Sequence, residues 1–338
     1  MPCRPAVVAV LLGVAGAVVA TVLGFLTFGA QATVNPDHLP VAVSGEGPMR
    51  TAAEQVAAHG GDAVAWQVTD PDEGRRLLAD KEVYGVLELA PDGLTVVVSG
   101  AVNPQGTQVA QQILMGAANG VAAALPQPVG PPTVETLHPA TTAGRTAPVA
   151  VSALLWIAGL VAALGFGFLT VRQGIKVGGG ARLTLLATVS VVATAVVIGF
   201  LKLWDSSLPL DAEIVGFLLL TVAAFASVQG ALLRLLHLRA AAILGPLYLI
   251  APAVAGQVPE MLNPAYRALL WSWTPFRFPA EGLRSLLQGT PDAPDVRTAV
   301  IVLASMAAVG LVVLLWPARK APEPMVAEPA PVLSRAGS

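Results

Sequence analysis

Few residues in this chain have the types and spacing to do chemistry. Ser44-Gly45-Glu46-Gly47 comes nearest to a phosphate-cradling loop, but it lacks the lysine and the full glycine pattern such loops use. A plain strand-to-helix turn accounts for it. His38, His59, His138 and His237 fall at no metal-ligand spacing. Cys3 is the lone cysteine, so there is no disulfide framework and no thiol-based metal site. No nucleophile has a base placed beside it, and no carboxylate pair stands at a working spacing. The expectation is therefore a protein that is not an enzyme and holds no metal or cofactor. Gln229 stands isolated in an apolar stretch, where an interhelical hydrogen bond is the expected use of its amide.

The elements that must carry these residues are mostly apolar. Of 338 residues, 55% are hydrophobic and only 12% charged, against about 25% charged in soluble domains. The apolar residues come in blocks, which places the chain among integral membrane proteins. A net charge of −2 gives no sign of nucleic-acid binding; membrane lipid is the expected surrounding. Six stretches read as transmembrane helices: 6–30, 148–170, 183–201, 214–233, 240–256 and 298–316. The fifth is short and holds Pro246 and Pro252, which predicts a kinked helix packed on neighbours. The first has a competing reading as a signal peptide, with Arg4 ahead of it and Ala30-Gln31-Ala32 as a cleavage site. Its apolar run of about 25 residues exceeds the usual 7–15, so a retained anchor is expected.

Basic residues set the orientation. Arg172, Lys176 and Arg182, then Arg234 and Arg239, then Arg319 and Lys320 fall on one side. The loop 202–213 opposite holds Lys202 against Asp205, Asp211 and Glu213. Both termini are then cytoplasmic in a multi-pass protein of the cytoplasmic membrane, and residues 31–147 lie outside. No Asp, Glu, Lys or Arg falls inside a span, which argues against an ion-coupled carrier. Gly16, Ala20 and Gly24 form a small-xxx-small face on the first span, suited to packing within the chain or to a dimer.

Residues 31–147 read as an extracytoplasmic α/β domain inserted between the first and second spans. Strands are expected at 39–43, 63–68, 83–89 and 94–99, with helices at 48–58, 71–80 and about 105–125. Asp70, Pro71 and Glu73 mark a helix start, and Ala90-Pro91-Asp92-Gly93 a hairpin turn. The alternation implies a small sheet with parallel pairing. Residues 126–147, rich in Pro, Thr and Gly, read as an extended return linker. Residues 257–290 concentrate Tyr266, Trp271, Trp273, Phe276 and Phe278, which read as an aromatic belt at the outer interface. On a short helix starting at Pro279, Glu281 and Arg284 are expected to face water. The stretch after Trp316, rich in Pro and Ala, reads as a disordered cytoplasmic tail.

Two stretches carry a resemblance. "LPVAVSGEGP" followed by "LLADKEVYGVLELAPDGLTVVVSGAVNPQGTQVAQQIL" resembles the external domain of ABC-2-type membrane proteins, particularly the YhgE/Pip branch. "GPLYLIAPAVAGQVPEMLNPAYRALLWSWTPFRFPAEGLRSLLQG" is similar to that family's segment before the last span; Trp273, Pro275, Ala280, Glu281 and Arg284 match its motif, with Trp271 just before. The resemblance implies an external domain between spans one and two, five further spans, a re-entrant pair of short helices at 257–290 dipping into the outer leaflet, and export of an amphipathic or lipidic compound. The implied partners are a separate ABC ATPase and a second permease chain, as homodimer or heterodimer. Arg172, Lys176 and Arg182 would lie in the cytoplasmic coupling loop. Two departures stand out. Only five residues precede the first span, where permeases carry an elbow helix. The loop "VRQGIKVGGGAR" holds three consecutive glycines, which disfavour a coupling helix. They leave open a non-transporting YhgE/Pip-like surface protein whose outer domain binds an envelope component or protein.

Overall fold

The computed structural model describes residues 5–125, 129–175 and 177–317. Lys176 and the tail from residue 318 lie outside them. Among the described residues five helices are long and apolar enough to cross a membrane. They are α1 (Pro5–Ala32), α5 (Thr142–Gln173), α6 (Gly179–Trp204), α7 (Ala212–Leu236) and α11 (Pro294–Leu315). Their ends follow local chemistry. The Thr141 hydroxyl accepts from the Gly144 N–H at 2.9 Å, and Asp211 accepts from the N–H groups of Glu213 and Ile214. Gly174 closes α5 at φ 64°, a conformation that suits glycine. A further apolar helix, α8 (Ala241–Ala255), has 15 residues. At ~1.5 Å per residue it is about 22 Å long, short of a hydrocarbon layer of ~30 Å.

α7 is the hub. It touches α5, α6, α10 (Arg277–Leu287) and α11, and it buries Phe217, Leu218, Val222 and Phe225. Trp156 of α5 meets Phe225 edge-on at 5.0 Å between ring centroids, and Phe276 lies 4.7 Å from the same indole. Each such pair adds about 0.5–1.5 kcal/mol beyond area burial. α11 reaches α7 because residue 310 is glycine: a Cβ there would sit 2.7 Å from the Ser227 carbonyl carbon. Small residues at such crossings let helix backbones approach where apolar lipid supplies no hydrophobic drive.

The small α/β unit holds β1 (Leu39–Gly45), α2 (Pro48–His59), β2 (Val64–Thr69), α3 (Pro71–Ala79), β3 (Val86–Ala90), β4 (Gly93–Ser99), α4 (Pro104–Ala124) and β5 (Thr133–Leu137). The sheet order is β2-β1-β3-β4-β5. β1 pairs parallel with β2 and β3, β3 pairs antiparallel with β4, and β4 pairs parallel with β5. The period-2 rule assigns the faces. Leu39, Val41, Val43, Leu87, Leu89, Leu94, Val96 and Val98 join α2 and α4 in one core. Ala42, Val86 and Val97 meet Leu77 and Leu78 of α3 on the other.

Several expectations need correcting. The stretch 126–147 is more than a linker, because β4 has an open edge and Thr133–Leu137 pairs along it. α5 starts at Thr142 rather than 148, since Thr141 supplies the cap and Pro148 is accommodated inside the helix. α11 starts at Pro294 rather than 298, so Asp295 lies in its first turn.

Candidate functional site

Two places gather polar groups from distant parts of the chain. The first is the joint between the α/β unit and the helices. After α8 come a 3₁₀ turn (Pro259–Met261), a short α9 (Pro264–Tyr266) and a π turn (Arg267–Trp271). Val258 and Met261 enter the core beneath α4. The Asn35 and Asp37 N–H groups donate to the carbonyls of Met261 and Glu260 at 3.0 Å each. Asn103 donates to the Gly256 carbonyl at 3.1 Å, and the Tyr84 hydroxyl to Glu260 at 2.9 Å. The unit is clamped to the helical part rather than hung from it.

At the centre of this joint Lys81 stands 2.6 Å from Asp295, with side chains only 15% and 16% exposed. Its ammonium also donates to the Ser285 hydroxyl, which in turn donates to Asp295 at 2.8 Å. Lys81 leaves α3 at φ 62°, an uncommon backbone state for a non-glycine, and that turn aims its side chain at α10 and α11. Burial lowers Lys81 from its usual range, against the pull of Asp295. Burial raises Tyr84, with Glu260 adding to the effect.

Arg284 was expected to face water and does not: it is 4% exposed, and its Nε has no hydrogen-bond partner among the described residues. Glu281 is partly covered beside it. The cause is tertiary. Tyr84, Lys81 and Asp295 close over the polar face of α10, while Leu283, Leu286 and Leu287 pack into the helical core as their spacing predicts. Burial lowers Arg284 and raises Glu281. The helix also starts at Arg277 rather than Pro279. The Arg277 guanidinium lies 4.0 Å above the Trp271 ring. Trp273 is exposed, and Pro275 partly so.

The second place is a cavity of about 250 Å³ at the opposite end of the bundle, between α5, α6, α7 and the end of α11. Its walls are apolar: Ala163, Phe166, Leu185, Leu186, Val189 and Leu233. Arg182, Arg234 and His237 stand at its polar end. Arg182 donates to the Leu314 carbonyl at 2.8 Å. Arg234 donates to the same carbonyl at 2.6 Å, to Val313 at 2.8 Å, and to Trp316. The two guanidinium groups thus converge on the C-terminus of α11, where cations are favoured. Among the described residues neither arginine has a carboxylate within ion-pair distance.

The other anticipated residues scatter. Arg172 is exposed, Arg182 is half-buried at the cavity, and Lys176 lies outside the described residues. Gly16 has nothing near its Cβ direction, and Gly24 meets only Phe28 of its own helix. α1 packs instead through Leu26 and Ala30 against Leu262, Leu270 and Ile250. Gln229 is fully buried and donates to the Trp156 carbonyl at 2.9 Å, the interhelical bond expected of it. Sequence reading missed Lys81, Tyr84, Glu260, Ser285 and Asp295 altogether, and it used Arg234 only as an orientation marker.

The class this arrangement defines is a bundle of membrane-crossing-type helices with a small α/β unit fastened to one end and an apolar, cation-tipped cavity at the other. Comparison with protein-family models, curated proteins and solved structures finds no match for this chain.

Proposed function

We propose that this chain is the membrane-embedded part of an export system of ABC-2 type, and that it moves an amphipathic or lipidic compound across the cytoplasmic membrane. In this reading α8 is the fourth of five crossings that follow the α/β unit. Six crossings leave both termini in the cytoplasm and the α/β unit outside. A separate ATPase supplies energy, and a second permease chain completes the pathway. The observation that supports this is the cavity. It lies among helices rather than in the α/β unit, its walls are apolar, and its polar groups collect at one end. Such a lining suits cargo with a greasy body and a polar head.

The test fills the cavity without straining the fold. Gly167 lines it, and a Cβ built there meets nothing within 4 Å. Gly167→Phe occupies the space and replaces a helix-interior glycine, a poorer helix former than phenylalanine, so helix propensity does not oppose the change. Export of a fluorescent lysolipid from cells carrying the chain and its ATPase is expected to fall at least tenfold in the variant, with expression unchanged. Undiminished export would exclude the cavity as the pathway.

A second reading has its own support. The α/β unit is clamped to the helices by Lys81, Tyr84 and Asn103, as a fixed binding platform requires. In that case the protein does not transport; the outer unit binds an envelope component. Deleting residues 39–125 then abolishes the phenotype, and Gly167→Phe leaves it intact.

A further inference from the structure

Taking the cavity as the cargo site, we infer that its ligand is a single-chain amphiphile with an anionic carboxylate or phosphate head, held by Arg182 and Arg234.

Three observations converge on this. The first is charge. Arg182 sits in the first turn of α6 and Arg234 in the last turn of α7, yet both reach the Leu314 carbonyl. One arginine is enough to satisfy the end of a helix. Two guanidinium groups drawn to one oxygen repel each other, and among the described residues no acid offsets them. An oxyanion between them removes the repulsion and takes up N–H donors the carbonyls leave over: each guanidinium has five, and their fork matches carboxylate and phosphate geometry. His237 lines the same end and adds a third donor.

The second is length. The cavity runs along α5 from Thr170 to Gly159. Eleven residues at ~1.5 Å each make about 16 Å, close to half of a hydrocarbon layer of ~30 Å. An acyl chain whose head rests at the arginines therefore ends near Gly159 and Ala226, one leaflet deep.

The third is volume. About 250 Å³ falls just below the ~300 Å³ floor of drug-sized ligand pockets. That space is partly open and is matched better by one chain than by two.

The experiment uses the full-length purified protein in phosphatidylcholine nanodiscs, with cis-parinaric acid as fluorescent probe and its methyl ester as the uncharged match. The acid is expected to bind at least tenfold more tightly than the ester. Arg182→Gln and Arg234→Gln should each weaken the acid at least fivefold and leave the ester unchanged. Arg234→Lys, which keeps the charge and the contact with α11 but loses the fork, should fall between. Arg172→Gln, at an exposed position, should change nothing. Competition by palmitate and by lysophosphatidic acid distinguishes a carboxylate from a phosphate head, and lysophosphatidylcholine should compete poorly. Equal binding of acid and ester, still abolished by Gly167→Phe, overturns the anionic head and leaves the cargo cavity standing. Binding indifferent to Gly167→Phe overturns both.

Discussion

Removing the Lys81 ammonium tests whether the α/β unit is fastened to the helices by charge. Lys81→Met keeps the length of the side chain and deletes its charge. Asp295 then remains buried without its cation, though it retains the Ser285 hydroxyl and the Val296 N–H at 3.0 Å. Breaking a buried ion pair from one side costs about 3–5 kcal/mol; the retained hydrogen bonds place this variant near the lower end, about 3 kcal/mol. Asp295→Leu should cost more. It strands Lys81 beside the buried Arg284, two cations with only Glu281 to offset them. The double variant removes both charges and should recover much of the loss, leaving a coupling of about 2–3 kcal/mol, within the range for contacting pairs. The assay is hydrogen exchange at the α10 amides in nanodiscs, where local opening is read segment by segment. A loss of 3 kcal/mol corresponds to roughly 150-fold faster exchange, since about 1.4 kcal/mol is tenfold. If Lys81→Met left α10 exchange within threefold of wild type, or if the two single effects simply added, the ion pair would not be what holds the joint.

The remaining predictions concern the core, the sheet edge and a second crossing. Trp156→Ala removes the indole between Phe225 and Phe276 and should cost about 3–5 kcal/mol, seen as a lower midpoint in a thermal unfolding scan. Gly310→Val forces α11 away from the Ser227 backbone and should cost at least about 1–3 kcal/mol as an overpacked site; Gly13→Val, on α1 with nothing within 4 Å, should be neutral in the same scan. At the sheet edge Arg75 bonds Glu88 at 2.7 Å and Glu135 of β5 at 2.6 Å. The bond from Arg75 holds Glu135 below its ordinary 4.5. Folding lowers this group, so its contribution is complete above the unfolded value and is lost as pH falls below it. Both side chains are about 40% exposed, which limits the effect to under about 1 kcal/mol. Exchange at β5 amides, corrected for intrinsic rate, should rise between pH 5 and pH 3, and Arg75→Gln should flatten that profile.

Local pattern made much of this molecule legible. The uncharged run before residue 30 and the blocks after 148 announce long apolar helices, because length and composition alone decide whether a helix can cross lipid. β1 to β4 are visible as alternating apolar residues, and α3 as Asp70-Pro71 followed by an acid. The hairpin turn was readable from Pro91 and Gly93. β5 was not: Thr133–Leu137 is mostly exposed, and only the open edge of β4 makes it a strand. Pattern also failed on α10, where helical spacing put Glu281 and Arg284 on the polar face. That placement is correct for the helix by itself and wrong about water, because another element covers the face.

Composition and periodicity, read along the chain, thus determined the apolar helices, the small α/β unit and its place between the first two of them. Hydropathy is a property of neighbouring residues, and it needs no partner to be read. Only the tertiary structure decided that Lys81 meets Asp295 across 214 positions, that Arg284 is buried, and that Arg182 and Arg234 converge on the carbonyls ending α11. Those contacts depend on how helices cross and where a domain docks, and a charged side chain carries no local mark of the partner that folding will bring to it.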